Sequence, residues 1–230
     1  LRFTTIMPEF DPFRYNSFPT NGGTQTHKLT RQVASRIARL ESSGRGHEMP
    51  PVLVIKSTVD ATVSNDAMID ALLGRLPDNG HELIVFDINR VAGAMSVLVS
   101  NPAPFTQRLA DEPPQPFAIT FVSNWQTGDE NVVAVRRNPM EDEVSEVVPI
   151  DAKWPPGVVS LSHIALPIAP EDPLYGQFPP EERGKLFLGT QSLRGERGVV
   201  QIPDNWFTRQ RYNPFFDYTY ERILDWVEPE

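Results

Sequence analysis

The stretch that most constrains the fold is Pro51 to Val63, PVLVIKSTVDATV, a β-branched apolar run ending in a small polar loop that carries Asp60. Val52 to Lys56 is too short for a helical repeat and rich enough in Val and Ile to form a strand buried on both faces. Asp60 then falls just past the carboxyl end of that strand. Open parallel sheets gather ligands and catalytic groups at that edge, because the loops there converge on a crevice. Two readings of Asp60 stand side by side: a site carboxylate, or a cap for the helix that follows, where Asp is a favoured residue.

The next residues have the signature of a parallel crossover. Ser64 or Asn65 is placed to cap a helix with Met68, Ile69, Leu72, Leu73 and Leu76 on one face, and Pro77-Asp78-Asn79-Gly80 stops it. Glu82 to Asp87, ELIVFD, reads as a second buried strand. Strand, helix and strand then form one right-handed unit, so the chain leaves the second strand at Asp60's edge.

On the amino-terminal side, Leu1 to Gly23 contains Pro8, Pro12 and Pro19 and ends in the turn signal Asn21-Gly22-Gly23, which predicts a packed irregular segment. From Thr26 to Ser43, Leu29, Val33, Ile37 and Leu40 recur at helical spacing, with Lys28, Arg31, Arg36 and Arg39 on other faces, as in an amphipathic helix. The start at Leu1 instead of Met, followed at once by ordered-looking sequence, reads as a truncated or processed end.

Beyond the second strand, Asn89 to Asn101 is apolar without alternation and fits helix or strand. Phe117 to Ser123 and Asn131 to Arg136 flank residues 125–130 as a hairpin, and Val144 to Ile150 adds a further strand. Glu141-Asp142-Glu143 reads as a solvated turn in preference to a metal site. Pro155-Pro156-Gly157 closes this block, Val158 to Leu161 runs into Ser162-His163, and a last helix near Tyr218 to Val227 is built around Tyr220, Ile223, Leu224 and Val227. The expected fold class is α/β, a mostly parallel sheet with flanking helices. Its parts are a segment and helix over 1–50, a core over 51–89 and 156–230, and a mainly antiparallel β insertion over 90–155 that interrupts the parallel unit.

Composition narrows the function. The chain has 230 residues, a formal charge of −9 and no cysteine. The charge argues against a nucleic-acid or anionic-membrane partner, and the missing cysteines exclude disulfides, thiolate metal sites and a Cys nucleophile. No apolar run is long enough to span a bilayer. The chain reads as a soluble protein, cytoplasmic or exported after processing, with no metal or cofactor expected.

The four histidines are sorted by position. His27 starts a helix, His47 lies in a polar connection, and His81 precedes a strand at the edge opposite Asp60. His163 alone returns to Asp60's edge, where a carboxylate would orient its ring and stabilise its charged form. A structural role for a lone His stands beside that reading.

The combination resembles a known family. The strand ending in Ser57-Thr58-Val59-Asp60-Ala61-Thr62-Val63, the helix, the strand Glu82 to Asp87 and then Ser162-His163 look like the carboxyl-terminal half of an α/β-hydrolase, and the order Asp then His agrees with that family's acid and base. Asp11 to Pro19 and Ser160 to Gly176 also resemble segments of bacterial esterase or lysophospholipase-like members. The likeness covers about half of the chain. It implies that Asp60 is the triad acid and His163 the general base. The departure is as informative: G-x-S-x-G, the nucleophile elbow, occurs nowhere in the 230 residues. Ser57, Ser162 and the Ser192 of Gly189 to Gly195 have the wrong context.

The resulting expectation is the Asp and His half of a serine hydrolase cleaving a small-molecule or lipid-like ester through an acyl-enzyme. The Ser and oxyanion donors would come from a missing amino-terminal half or a second chain. A non-catalytic relative serving in binding or assembly, and an amidase or peptidase of the same fold, are the alternatives.

Overall fold

The computed structural model describes residues 2–6, 11–13, 17–60, 63–90, 113–124, 128–155, 158, 160–161, 167–182, 184–189 and 212–228. Two compact units divide at Met49 and Pro50.

In the first unit, β1 (Phe3–Thr5) pairs antiparallel with β2 (Phe18–Pro19), and α1 runs over Thr20–Ser42. Pro19 in extended backbone sets the start of α1, consistent with the fixed φ of proline at a helix entrance. Of the apolar positions expected to form its packed stripe, Ile37 is buried, while Leu29 and Val33 are exposed.

The second unit is organised by one sheet of five strands in the order β3 (Leu53–Ser57), β4 (Glu82–Phe86), β5 (Ala118–Ser123), β6 (Asn131–Arg137), β7 (Glu146–Lys153). β3 and β4 are parallel, joined through α2 (Asn65–Asp70) and a 3-10 turn at Leu73–Arg75. Ser64 caps α2, its hydroxyl accepting from the Ala67 backbone N–H. β5 then lies parallel to β4, and β6 and β7 continue antiparallel. The sheet is therefore mixed, and the expected 90–155 insertion is in part a continuation of it: β5 extends the parallel ladder instead of interrupting it. Residues 91–112, which include most of the ambiguous Asn89 to Asn101 run, lie outside the described residues.

Period-two alternation divides the core. Ile84 and Phe86 face one side with Val122, Val132, Trp154, Val158, Leu161 and Phe215. Leu83 and Val85 face the other with Val54, Ile69, Leu73, Phe117 and Ile119. Every residue of β4 is buried. The last helix, α3 (Phe216–Val227), docks on the first face. Phe215 packs 5.3 Å from Phe86 and 5.1 Å from Trp154, and Tyr218 meets Phe86 edge-on at 6.2 Å, in the tilted and T-shaped arrangements that ring quadrupoles favour. Phe215, Tyr218 and Arg222 share one side of the helix, so the expected packing face is corrected: Tyr220, Ile223, Leu224 and Val227 are exposed.

The reason is a buried charge at the amino end of β4. Glu82 is 2% exposed and receives hydrogen bonds from Arg136 (2.7 Å), Arg222 (2.8 Å) and Thr120 (2.9 Å). Burial alone would raise its pKa, but the arginines and Thr120 outweigh that and hold the carboxyl below its ordinary value. Arg222 therefore has to face the sheet, which turns the apolar stripe of α3 outward. Beside Glu82, His81 is also buried and its Nδ1 accepts from the Val52 N–H at 3.0 Å, so it braces the start of β3.

Glu82→Gln is expected to lower the unfolding free energy at neutral pH by about 3 kcal/mol, because both guanidiniums lose their buried counter-charge. Since the folded carboxyl is held low, its stabilisation is present above the ordinary value of 4.5 and is lost as pH falls through the lower folded value. Urea unfolding across pH 3 to 7 should thus show a flatter acid limb for the variant; an unchanged midpoint and slope would contradict the role given to Glu82.

Candidate active site at the carboxyl edge of the sheet

Because β3, β4 and β5 are parallel, the loops after all three emerge at one edge. After β3 the chain turns tightly: the Ser57 carbonyl accepts from the Asp60 N–H at 3.3 Å, the Ser57 hydroxyl accepts from the Val59 N–H, and Thr58 N–H still donates to the Phe86 carbonyl. Asn65 Nδ2 ties the Thr58 carbonyl from the helix side at 3.0 Å.

Lys56 engages Asp60. Its ammonium lies 3.3 Å from Asp60 Oδ2 and donates to the Val63 carbonyl, so it pins both arms of the loop from beneath. Alternation in β3 places Lys56 on the same side as Val54, toward the α2 layer, and its side chain is 6% exposed against 18% for Asp60. Burial pushes the Lys56 pKa below its ordinary value, and the Asp60 carboxylate offsets part of that shift. Asp60 is not the cap of α2; Ser64 has that role.

A second polar group, not singled out in the sequence, follows β4 and β5. Asp87 is buried and takes a bidentate contact from Arg90, at 2.8 and 2.9 Å, and a hydrogen bond from the Ser123 hydroxyl at 3.0 Å. Asn124 Nδ2 donates to Asn89 Oδ1 and to the Asp129 carbonyl, while its Oδ1 accepts from the Arg90 N–H. Asn89 Nδ2 reaches the Val158 carbonyl at 3.0 Å. The signal available in the sequence was the run Asp87-Ile88-Asn89-Arg90 directly after a buried strand. These side chains engage one another and form a rigid floor at the edge.

The Asn89 contact also bears on His163. Val158 is held at the carboxyl edge of β4, and Val158 and Leu161 pack with Phe86 in the core. His163 and Ser162 lie outside the described residues. His163 follows Leu161 by two residues, a span of at most about 7 Å of extended chain. Downstream, the Pro-rich passage is a pinned loop. Asp172 Oδ1 accepts from the Leu174 and Tyr175 N–H groups, and a Cβ on Gly176 would meet the Asp172 carbonyl at 2.3 Å, so only glycine fits there.

His81 is confirmed at the opposite, amino edge, and His27 and His47 belong to the first unit. Among the described residues, no group of three or more His, Asp or Glu side chains gathers as a metal site, and no helix is long and apolar enough to cross a membrane. Comparison with known proteins returns no matching family model, no matching curated protein and no matching solved structure.

The asymmetry between Lys56 and Asp60 is measurable. Asp60→Asn leaves a buried ammonium without its counter-charge, whereas Lys56→Met removes the more deeply buried charge and leaves Asp60 in contact with water. Asp60→Asn should therefore cost more stability than Lys56→Met, by on the order of 2 kcal/mol in urea unfolding; equal costs, or the reverse order, would contradict this assignment.

Proposed function

We propose that this chain supplies the acid and the general base of a serine hydrolase that cleaves carboxylic esters, with Asp60 as the acid and His163 as the base. The observation that carries the reading is the tether from Asn89 to Val158. It holds Val158, five residues before His163 in the sequence, at the carboxyl edge of β4, and supports a reading in which His163 lies near Asp60. The order of the two residues in the sequence agrees with the acid and base of an α/β-hydrolase.

In this scheme the Ser hydroxyl comes from polypeptide outside these 230 residues, which contain no G-x-S-x-G. His163 takes the hydroxyl proton as the oxygen attacks the ester carbonyl, and returns it to the leaving alcohol when the tetrahedral intermediate collapses to the acyl-enzyme. Water then attacks the acyl group with the same His as base, releasing the acid and restoring the Ser. Asp60 orients the imidazole and stabilises its charged form. Lys56 fixes the loop on which Asp60 stands. An amide in place of the ester would use the same steps, and parallel turnover of an ester and its matched amide separates the two.

A second reading, a non-catalytic relative acting in binding or assembly, is favoured by one contact: Asp60 is already engaged by the Lys56 ammonium. The two readings differ in what His163 does. In the natural protein containing the Ser-bearing polypeptide, His163→Ala is expected to lower turnover of a short-chain p-nitrophenyl ester by about 10⁴-fold, the scale of loss when a triad member is disabled. Turnover unchanged by that substitution would sink the hydrolase reading.

A further inference from the structure

Pro50 and Pro51 have no N–H, so Val52 supplies the first backbone donor of the second unit. That donor goes to a side chain. The Val52 N–H meets His81 Nδ1 at 3.0 Å, while the Val52 carbonyl accepts from the Glu82 N–H at 3.0 Å. The His81 carbonyl in turn accepts from the Ala118 N–H at 2.9 Å. One residue thus ties the entry of β3 through its ring and the start of β5 through its backbone.

The hydrogen bond fixes the protonation of the ring. To accept from Val52, Nδ1 must be bare, so the neutral imidazole carries its proton on Nε2. Nε2 is itself buried without a hydrogen-bond partner, and the whole residue is 1% exposed. An imidazolium has two N–H groups and needs two acceptors. In this site it has none: one N–H would point at the Val52 N–H and the other would stay unpaired.

The charged groups around the ring do little to offset that. Alternation along β4 sends the ring and the Glu82 carboxylate to opposite faces, and Glu82 is taken by Arg136 and Arg222. Residues 113–117 and β5 contain no titratable side chain, and Lys56 lies at the far end of β3, paired with Asp60. In the α2 layer, Asp66 and Asp70 are exposed and Arg75 donates to the Asp70 carbonyl. Asp78, exposed in the turn before His81, favours the charged ring, but burial outweighs it and holds the pKa below the ordinary 6.5.

We infer that His81 is an acid-sensitive clasp: the neutral ring holds the chain where it enters the second unit, and protonation of Nδ1 releases the Val52 N–H and frees the amino end of β3. Release is local, because β4 keeps its ladders to β3 and β5. Mild acid therefore loosens the segment that follows Met49 before the sheet itself gives way.

Amide hydrogen exchange followed by NMR over about pH 4 to 7 tests the clasp, with the protection factor of Val52 divided by that of Ile84, an interior ladder amide. The open form takes up a proton that the closed form resists. The ratio should therefore fall about tenfold per pH unit below 6.5 and level off below the folded value. His81→Asn keeps an acceptor oxygen near the place of Nδ1 and cannot take the proton, so its ratio should be flat. The ring nitrogen shifts of His81 in the unmodified protein give a readout that does not depend on the variant folding: Nδ1 should be bare at neutral pH, and its protonation should track the loss at Val52. A ratio independent of pH, an equal acid loss in His81→Asn, a proton on Nδ1 at neutral pH, or ring protonation that leaves Val52 protected would each overturn the inference.

Discussion

The physical constraint on which the second unit depends is that β4 is buried on both faces along its whole length. A strand in that position has no solvent-facing side on which to carry charge, so its ionised groups can only lie at its two ends, each with partners waiting. Glu82 stands at the amino end between Arg136 and Arg222, and Asp87 at the carboxyl end against Arg90 and Ser123. The first cluster sets how α3 lies on the sheet. The second ties together the loops after β4 and β5 at the edge where Asp60 emerges, and through Asn89 it also holds the Val158 carbonyl.

The local parts of this arrangement are legible in the sequence because they rest on short-range chemistry. The strands near Val52 to Lys56 and Glu82 to Asp87, the cap at Ser64 or Asn65, which falls to Ser64, and the antiparallel pairing of the strands flanking residues 125–130 each carry their own pattern and are found. The helix expected to run to Pro77, by contrast, ends at Asp70, and only a 3-10 turn follows at Leu73–Arg75. The parts that were not legible depend on distant partners. Nothing within Phe117 to Ser123 says that it will pair with β4, because strand pairing joins segments far apart in sequence and the pattern of one strand does not name its neighbour. The α3 stripe of Tyr220, Ile223, Leu224 and Val227 has sound helical spacing, yet the sheet is met by the side carrying Phe215, Tyr218 and Arg222. The decisive contact there is a buried carboxylate 140 residues away.

The candidate site was legible to the same degree. Asp60 could be placed from the strand before it, but its engagement by Lys56 could not, since a single Lys in an apolar run ordinarily turns its charged head to water. The pairing sharpens what Asp60 can do. A carboxylate gripped by a buried ammonium is held in place for a neighbouring base, and the same grip would serve a loop with only a structural task. Chemistry at this edge therefore turns on whether a serine is brought to it.

The most direct measurement is labelling of the natural protein with a fluorophosphonate, followed by intact mass and peptide mapping. If Asp60 and His163 serve a serine, one adduct forms, on a Ser outside these 230 residues. No adduct on any serine, or an adduct on Ser57 or Ser162 within them, would contradict that claim.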